Sequence, residues 1–402
     1  MRKDVFPLLQ PSLSSIHPFQ IKKTYLYFFP RKLWCRITFF HTHLFLHKNT
    51  TRATHTPTPT LIRILFFFLF QQSPTVSPNK IIIIVMNRVA SHAGSWYTDS
   101  NARLNAELDK YLDKVPPLTE QGESYPIEGA RAIIAPHAGY SYSGPTAAYA
   151  YKCINASEVE RVFILGPSHH VYLDGCALSR CDTYETPLGN LTLDKATIQE
   201  LYNTRKFQWM SKDVDEEEHS IEMHLPYTAK IFSGKLDQIK VVPIMVGAID
   251  ERKEKIFGEL LSPYLSDPKT LFIISSDFCH WGIRFSYTYY QPNDHEGLVR
   301  LGSNDVVDNP PIHESISNLD HEGMRLIESL DHASFSNYLR TTKNTICGRH
   351  PIGVLLCALE TLHQQNPSQQ QRIQFTKYAQ SNPCQKVRDS SVSYASAYVY
   401  LG

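Results

Sequence analysis

The chain has 402 residues, of which 42% are hydrophobic and 20% charged, with a formal net charge of +1. Its length allows one large domain or two, and the balanced charge removes any electrostatic case for nucleic-acid or membrane binding by its body. The eight cysteines, at 35, 153, 176, 181, 279, 347, 357 and 384, form no CxxC pair. They fit free, mostly buried thiols in a reducing, cytoplasmic setting better than a disulfide scaffold.

Residues 1–85 differ from the rest. Asp4 is their sole acidic residue against eleven Lys and Arg, and they carry homopolymer-like stretches such as Phe66–Phe68 and Ile81–Ile84. The apolar run Leu61–Phe70 is broken by Arg63 and is far shorter than the roughly 20 residues a membrane span needs. A basic, acid-poor start is also the mark of an organellar transit peptide, which would move the protein from the cytoplasm into an organelle. The abrupt change after Met86 favours a disordered or artefactual extension over a transit peptide or a folded extra element. Residues 86–402 are then read as one domain, because nothing like a linker interrupts them.

From Met86 onward the pattern is α/β. Asn101–Leu112 spaces Leu104, Leu108 and Leu112 as an amphipathic helix does. Gly129–Ala135 and Glu160–Leu165 are short, β-branched runs bounded by loop signals, so they read as buried strands with a helix at Ala147–Cys153 between them. Helices follow at Asp194–Thr204 and Glu251–Leu265, and strands at Ile239–Val246 and Leu271–Ser276. Ser315–Leu339 reads as helical with a break near Asp331, Ile352–Leu362 as helical, and Ser391–Leu401 as a final strand. This order predicts a mixed central sheet flanked by helices.

Four segments share one grammar: an apolar run, or a helix start, beside a loop rich in metal-ligand side chains. They are Pro136-His137-Ala138-Gly139, Gly166-Pro167-Ser168-His169-His170, Asp277-Phe278-Cys279-His280 and Ile346-Cys347-Gly348-Arg349-His350. In open α/β sheets ligands bind beyond the carboxyl ends of the strands, so these loops read as one site. His169 and His170 are adjacent and cannot both face it from extended backbone; one coordinates and the other packs. Asp277 and His280, three apart, suit a turn presenting both inward. Histidine and thiolate donors suit Fe(II), Cu or Zn and are wrong for Mg or Ca.

Glu218-His219-Ser220-Ile221-Glu222-Met223-His224 invites a zinc-protease reading. His219 and His224, however, lie about 140° apart around a helix, and the spacing is not HExxH. An acidic helix start that supports the site's ligands is the better reading. Gly94-Ser95-Trp96-Tyr97 places an aromatic pair in a loop.

These segments resemble the Memo family (mediator of ErbB2-driven cell motility and its relatives). The resemblance runs in order through Ser91–Tyr97, Ile134–Tyr140, Leu165–His170, Glu218–Tyr227, Ser275–Gly282 and Ile346–Gly353. It implies a LigB-like fold, akin to the class III non-haem iron dioxygenases. It also implies an iron or copper ion held by His137, His169 and Cys347. Asp277 and His280 would line the same pocket as proton-transfer partners, with Trp96 at its rim, His170 beside it and Arg349 assisting an anionic ligand. The related dioxygenases use two His and a carboxylate, so a thiolate here changes charge, softness and redox behaviour at the metal. The enzyme class implied is a metal-dependent oxidoreductase. A second role the resemblance implies is binding of phosphorylated peptide segments in the same crevice.

Overall fold

Runs such as Ala-Ile-Ile-Ala and Val-Phe-Ile-Leu have no polar face, which suits strands covered on both sides. The structure, a computed structural model, describes residues 85–292 and 297–402. The extension read at residues 1–85 lies outside the described residues, Val85 excepted.

The central sheet is built from β1 (Ala130–Ala135), β2 (Arg161–Pro167), β3 (Cys176–Leu178), β4 (Phe207–Trp209), β5 (Lys240–Val246), β6 (Thr270–Ser275), β7 (Asp277–Trp281), β8 (Gln371–Gln380) and β9 (Ser391–Leu401). Its order is β7-β9-β1-β6-β2-β5-β3-β4, with β8 pairing β9 as well. The central strands β1, β6, β2 and β5 run parallel to one another. Strand β9 runs antiparallel to β1, β7 and β8, so the sheet is mixed as the pattern predicts.

Helices flank this sheet. α1 (Asn101–Asp113) packs on α2 (Tyr140–Lys152), which lies against β1 and β9. α3 (Lys195–Asn203) lies on the connection from β3 to β4, and the short α4 (Lys212–Glu217), α5 (His219–Glu222) and α6 (Leu225–Ile231) on that from β4 to β5. α7 (Glu251–Ser266) pairs along α10 (Arg349–Gln365), and both touch β6. Gly258 permits that pairing, since a Cβ there would lie 2.5 Å from Cβ of Cys357. α8 (Ile312–Glu328) and α9 (His332–Thr342) are separated where Asp331 caps the second, its side chain accepting from the Ser334 amide.

Beyond the short strands β3, β4 and β7, none of which was expected, α2 and β8 depart from the expectation. α2 begins seven residues earlier than the helix read at Ala147, despite Gly144 and Pro145 inside it. Burial of Tyr140 and Tyr151 outweighs the hydrogen bond that proline costs. Strand β8 escaped notice because it pairs only with β9 and is mostly half-exposed, so its sequence Gln-Arg-Ile-Gln-Phe-Thr has little apolar pattern. The seven described cysteines are free, and no helix among the described residues is long and apolar enough to cross a membrane.

A buried cation organises the wall beside α4 and α5. Arg88 is 0% exposed; its Nε meets Oδ1 of Asp215 at 3.1 Å and one Nη meets Glu222 Oε2 at 2.6 Å. The other terminal nitrogen donates to the Glu218 carbonyl at 3.0 Å. Removing one partner from such a cluster leaves uncompensated buried charge. Arg88→Met is therefore expected to cost about 3–5 kcal/mol of stability, read as a lowered denaturant midpoint; an unchanged midpoint would refute the role.

Burial alone would raise the carboxyl of Glu222, yet hydrogen bonds from His92 and the charge of Arg88 hold it at about 2 instead of 4.5. Its stabilising contribution is complete above the unfolded value and is lost as pH falls toward 2. Burial pushes His224 down to about 3 from 6.5. The unfolded chain therefore takes up that proton first, and stability also declines as pH drops below 6.5. Unfolding midpoints measured at pH 7.5, 5.5 and 3.5 should fall at each step. A flat response between the first two would contradict the histidine contribution.

Candidate metal centre

The parallel strands deliver the predicted loops to one sheet edge. β1 ends two residues before His137, β2 two before His169, and β6 two before Asp277. The loop before α10 brings Cys347 to the same place, where its amide donates to the Asp277 carbonyl at 3.3 Å. Gly348 makes this approach possible: a Cβ there would sit 2.3 Å from the Ser275 carbonyl oxygen.

One ligand atom from each of His137, His169 and Cys347 can be chosen so that all lie within 4.8 Å of one another. His137 is 2% exposed, and its Nε2 stands 3.2 Å from Cys347 Sγ. Its Nδ1 lies 2.6 Å from Ser275 Oγ, whose own proton goes to the Ser220 carbonyl at 2.7 Å. The serine must therefore accept from Nδ1–H, which leaves the Nε2 lone pair free. His169 follows the same logic: Glu218 accepts from its backbone amide at 2.6 Å and from Nδ1 at 2.9 Å. Both rings thus have Nδ1 engaged and their orientation fixed from behind with Nε2 turned to the shared site, the arrangement metal-ligating histidines use.

Electrostatics agree. Burial, then the neighbouring His169 and His219, holds His137 well below its ordinary value, so its ring stays neutral. The carboxyl of Glu218 is held down at about 2, because hydrogen bonds from His169 override the effect of burial. Burial and Asp277 push the Cys347 thiol up. A cation at Sγ reverses that preference, since a coordinating thiol is deprotonated. Two imidazole nitrogens and one cysteine sulfur make a donor set that fits a borderline or soft transition metal.

Asp277 and His280 sit on β7, not in a turn. Side chains three apart on a regular strand face opposite ways, but the pairing with β9 shifts register between these two residues. That irregularity lets both line one cavity of about 460 Å3 together with Trp96, His137 and His169. Asp277 Oδ1 accepts the His137 amide at 2.8 Å, and burial raises its carboxyl above the ordinary value. His280 Nδ1 faces the Phe278 carbonyl at 2.9 Å, an acceptor only, so Nε2 is its free acceptor. Cys279, between them, is fully buried and does not line the cavity.

Trp96 is 37% exposed and its ring lies 4.4 Å from that of His219. His170 is exposed, 5.9 Å from the His219 ring, and does not line this cavity. Arg349 faces a different cavity, against α7 and α9. The cation the sequence reading missed is Arg284, which lines the histidine cavity with its guanidinium 4.4 Å from the Phe285 ring. Also missed was His219, stacked on His169 at 4.4 Å, with Nδ1 buried and unpartnered. Its place beside Glu218 was the available signal, obscured by the comparison with His224. That residue points elsewhere, its Nδ1 2.8 Å from the Tyr151 hydroxyl.

Residues 88–398 match the family profile described as Memo-like protein. Human Protein MEMO1 is 51% identical over 311 residues, 77% of this chain and 96% of the relative. Its counterpart from Xenopus tropicalis is 52% identical over 308 residues, 77% of this chain and 95% of the relative. Protein memo-1 homolog of Caenorhabditis elegans is 45% identical over 314 residues, covering 78% and 83%. With the match spanning the sheet and every loop of the histidine cavity, the chain belongs to the Memo family.

Proposed function

We propose that the chain binds iron or copper through Nε2 of His137, Nε2 of His169 and Sγ of Cys347, and serves a redox role. The observation that carries this is the pair of imidazoles whose Nδ1 atoms are committed to Ser275 and Glu218, within reach of one cysteine sulfur. Either metal, when bound, would supply one-electron redox chemistry. The chain's own residues contribute the rest. Glu218 and Ser275 keep both rings in the ligating tautomer. His280 Nε2 can accept a proton from a substrate in the cavity, and the raised carboxyl of Asp277 can hold one. Trp96 and Phe285 limit water on the apolar side.

Elemental analysis of protein purified anaerobically without chelator should find near-stoichiometric iron or copper. Cys347→Ser should reduce it sharply, and Glu218→Gln about 10- to 100-fold in affinity through His169. Failure of the parent protein to take up metal even on reconstitution would end this reading.

A second reading is a phosphopeptide adaptor, and Arg284 favours it. This guanidinium shares the cavity with Ser381, Asn382 and Ser390, groups that can donate to phosphate oxygens. Titration with a phosphotyrosine peptide and its unphosphorylated form should then show binding of the first alone, weakened by Arg284→Gln. Equal affinities would dispose of the idea.

A further inference from the structure

The rings around the proposed centre form a chain that metal ligation alone does not explain. His169 is stacked on His219, with centroids 4.4 Å apart and planes 23° apart. The Trp96 indole lies 4.4 Å from the same His219 ring, tilted by 31°. Rings this close and this nearly parallel keep their π systems in contact. The other ligand ring, His137, meets His219 edge-on at 5.4 Å. Trp96 is 37% exposed, so the chain runs from a ligand histidine to solvent in two steps.

The outer end of the chain is held in place. The Trp96 amide donates to the His92 carbonyl at 2.9 Å, and the Trp96 carbonyl accepts from the Tyr140 amide at 2.9 Å. Gly139 permits the second contact, because a Cβ there would stand 3.3 Å from the Trp96 carbonyl oxygen. The His92 ring meets the indole edge-on at 5.8 Å, and Glu222 holds that ring through Nδ1 at 2.9 Å.

Imidazole resists one-electron oxidation, whereas indole gives up an electron readily. Among the described residues, the ring contacts of His137 and His169 are with each other and with His219. Trp96 is the readily oxidised ring that touches His219. The other oxidisable group at the centre is Cys347, whose Sγ lies 3.2 Å from His137 Nε2. A thiolate carried on to sulfinic or sulfonic acid does not return unaided, and the sulfur ligand is lost.

We propose that Trp96 is a redox-active residue, which supplies an electron through His219 and His169 when peroxide reacts at the metal centre and so spares Cys347. This rests on the metal reading above. Hydrogen peroxide takes up two electrons and two protons to give two waters. One electron comes from the metal, as Fe(II) becomes Fe(III) or Cu(I) becomes Cu(II), and the other from the indole. The oxidised indole releases its Nε1 proton to solvent, and solvent supplies both protons consumed. A soluble reductant such as ascorbate then returns one hydrogen atom to the neutral indolyl radical.

The test uses the full chain loaded anaerobically with iron or copper, reduced, mixed with equimolar hydrogen peroxide and freeze-quenched. Electron paramagnetic resonance should show a tryptophan radical that is absent from Trp96→Phe, from His219→Leu and from zinc-loaded protein. Peptide mass spectrometry should find oxidised Trp96 but unmodified Trp281 in the parent, and more oxidised Cys347 in Trp96→Phe. Elemental analysis of the same samples reports the metal each one holds. An equal radical yield in Trp96→Phe, or equal oxidation of Cys347, with the metal retained would overturn the inference and leave the metal reading standing. Loss of the metal from Trp96→Phe would also overturn it, since the indole would then be a support of the ligand loops. A parent chain that takes up neither metal would overturn both.

Discussion

One buried guanidinium sets the wall behind the histidine cavity. Arg88 reaches Asp215 on α4, the Glu218 carbonyl at the junction and Glu222 on α5, and so fixes three points of one short segment. That segment then does the positioning. The carboxylate of Glu218 takes both N–H groups of His169, while Glu222 takes the His92 amide and the Tyr97 hydroxyl. His92 and Tyr97 in turn bracket the loop that places Trp96 against His219. A buried ion cluster of this kind adds little net stability over an apolar one, but breaking it is costly. Its use here is geometric: charge that must be neutralised in one arrangement fixes the arrangement.

The opposite wall reaches the same end without charge. Ser275 has one proton, and giving it to the Ser220 carbonyl obliges the hydroxyl to accept from His137. One imidazole is thus oriented by a carboxylate and the other by a hydroxyl. A carboxylate behind a ring favours its protonated form more than a hydroxyl does. His137, which has the hydroxyl and is the more buried, is held neutral, chiefly by that burial. The sheet supplies the rest, because parallel strands deliver their loops to a common edge.

Much of this was legible in the sequence. Buried parallel strands write themselves as uninterrupted β-branched runs, so β1, β2, β5 and β6 were found close to their true ends, and the ligand loops lay where those runs stop. The helix start at Asp194 and the break near Asp331 were equally legible, and the structure makes each of these residues an N-cap. Strand β8 was hidden because a half-exposed strand with a single partner carries little apolar pattern. The bulge at Asp277–His280 was hidden because register belongs to the pairing with β9, which no local signal reports. Arg284 and Arg349 exchanged places for a similar reason. Proximity in sequence to a ligand does not decide which side of the loop a long side chain takes, and Arg349, two residues from Cys347, lies on the far side.

The loop Asn344–Arg349 stands between the two cavities, Cys347 on one side and Asn344 and Arg349 on the other. Coupling between sites requires an element with two arrangements that both sites bias. This loop is held from several directions. The amide of Cys347 donates to the Asp277 carbonyl, that of Gly348 to Ser276 Oγ at 3.1 Å, and Asn344 Nδ2 to Asp320. At Gly348 the backbone already sits closer to Ser275 than any Cβ could tolerate. A segment packed this tightly has no slack with which to shift Cys347 relative to Asp277. The loop is therefore a partition between the two cavities and not a lever.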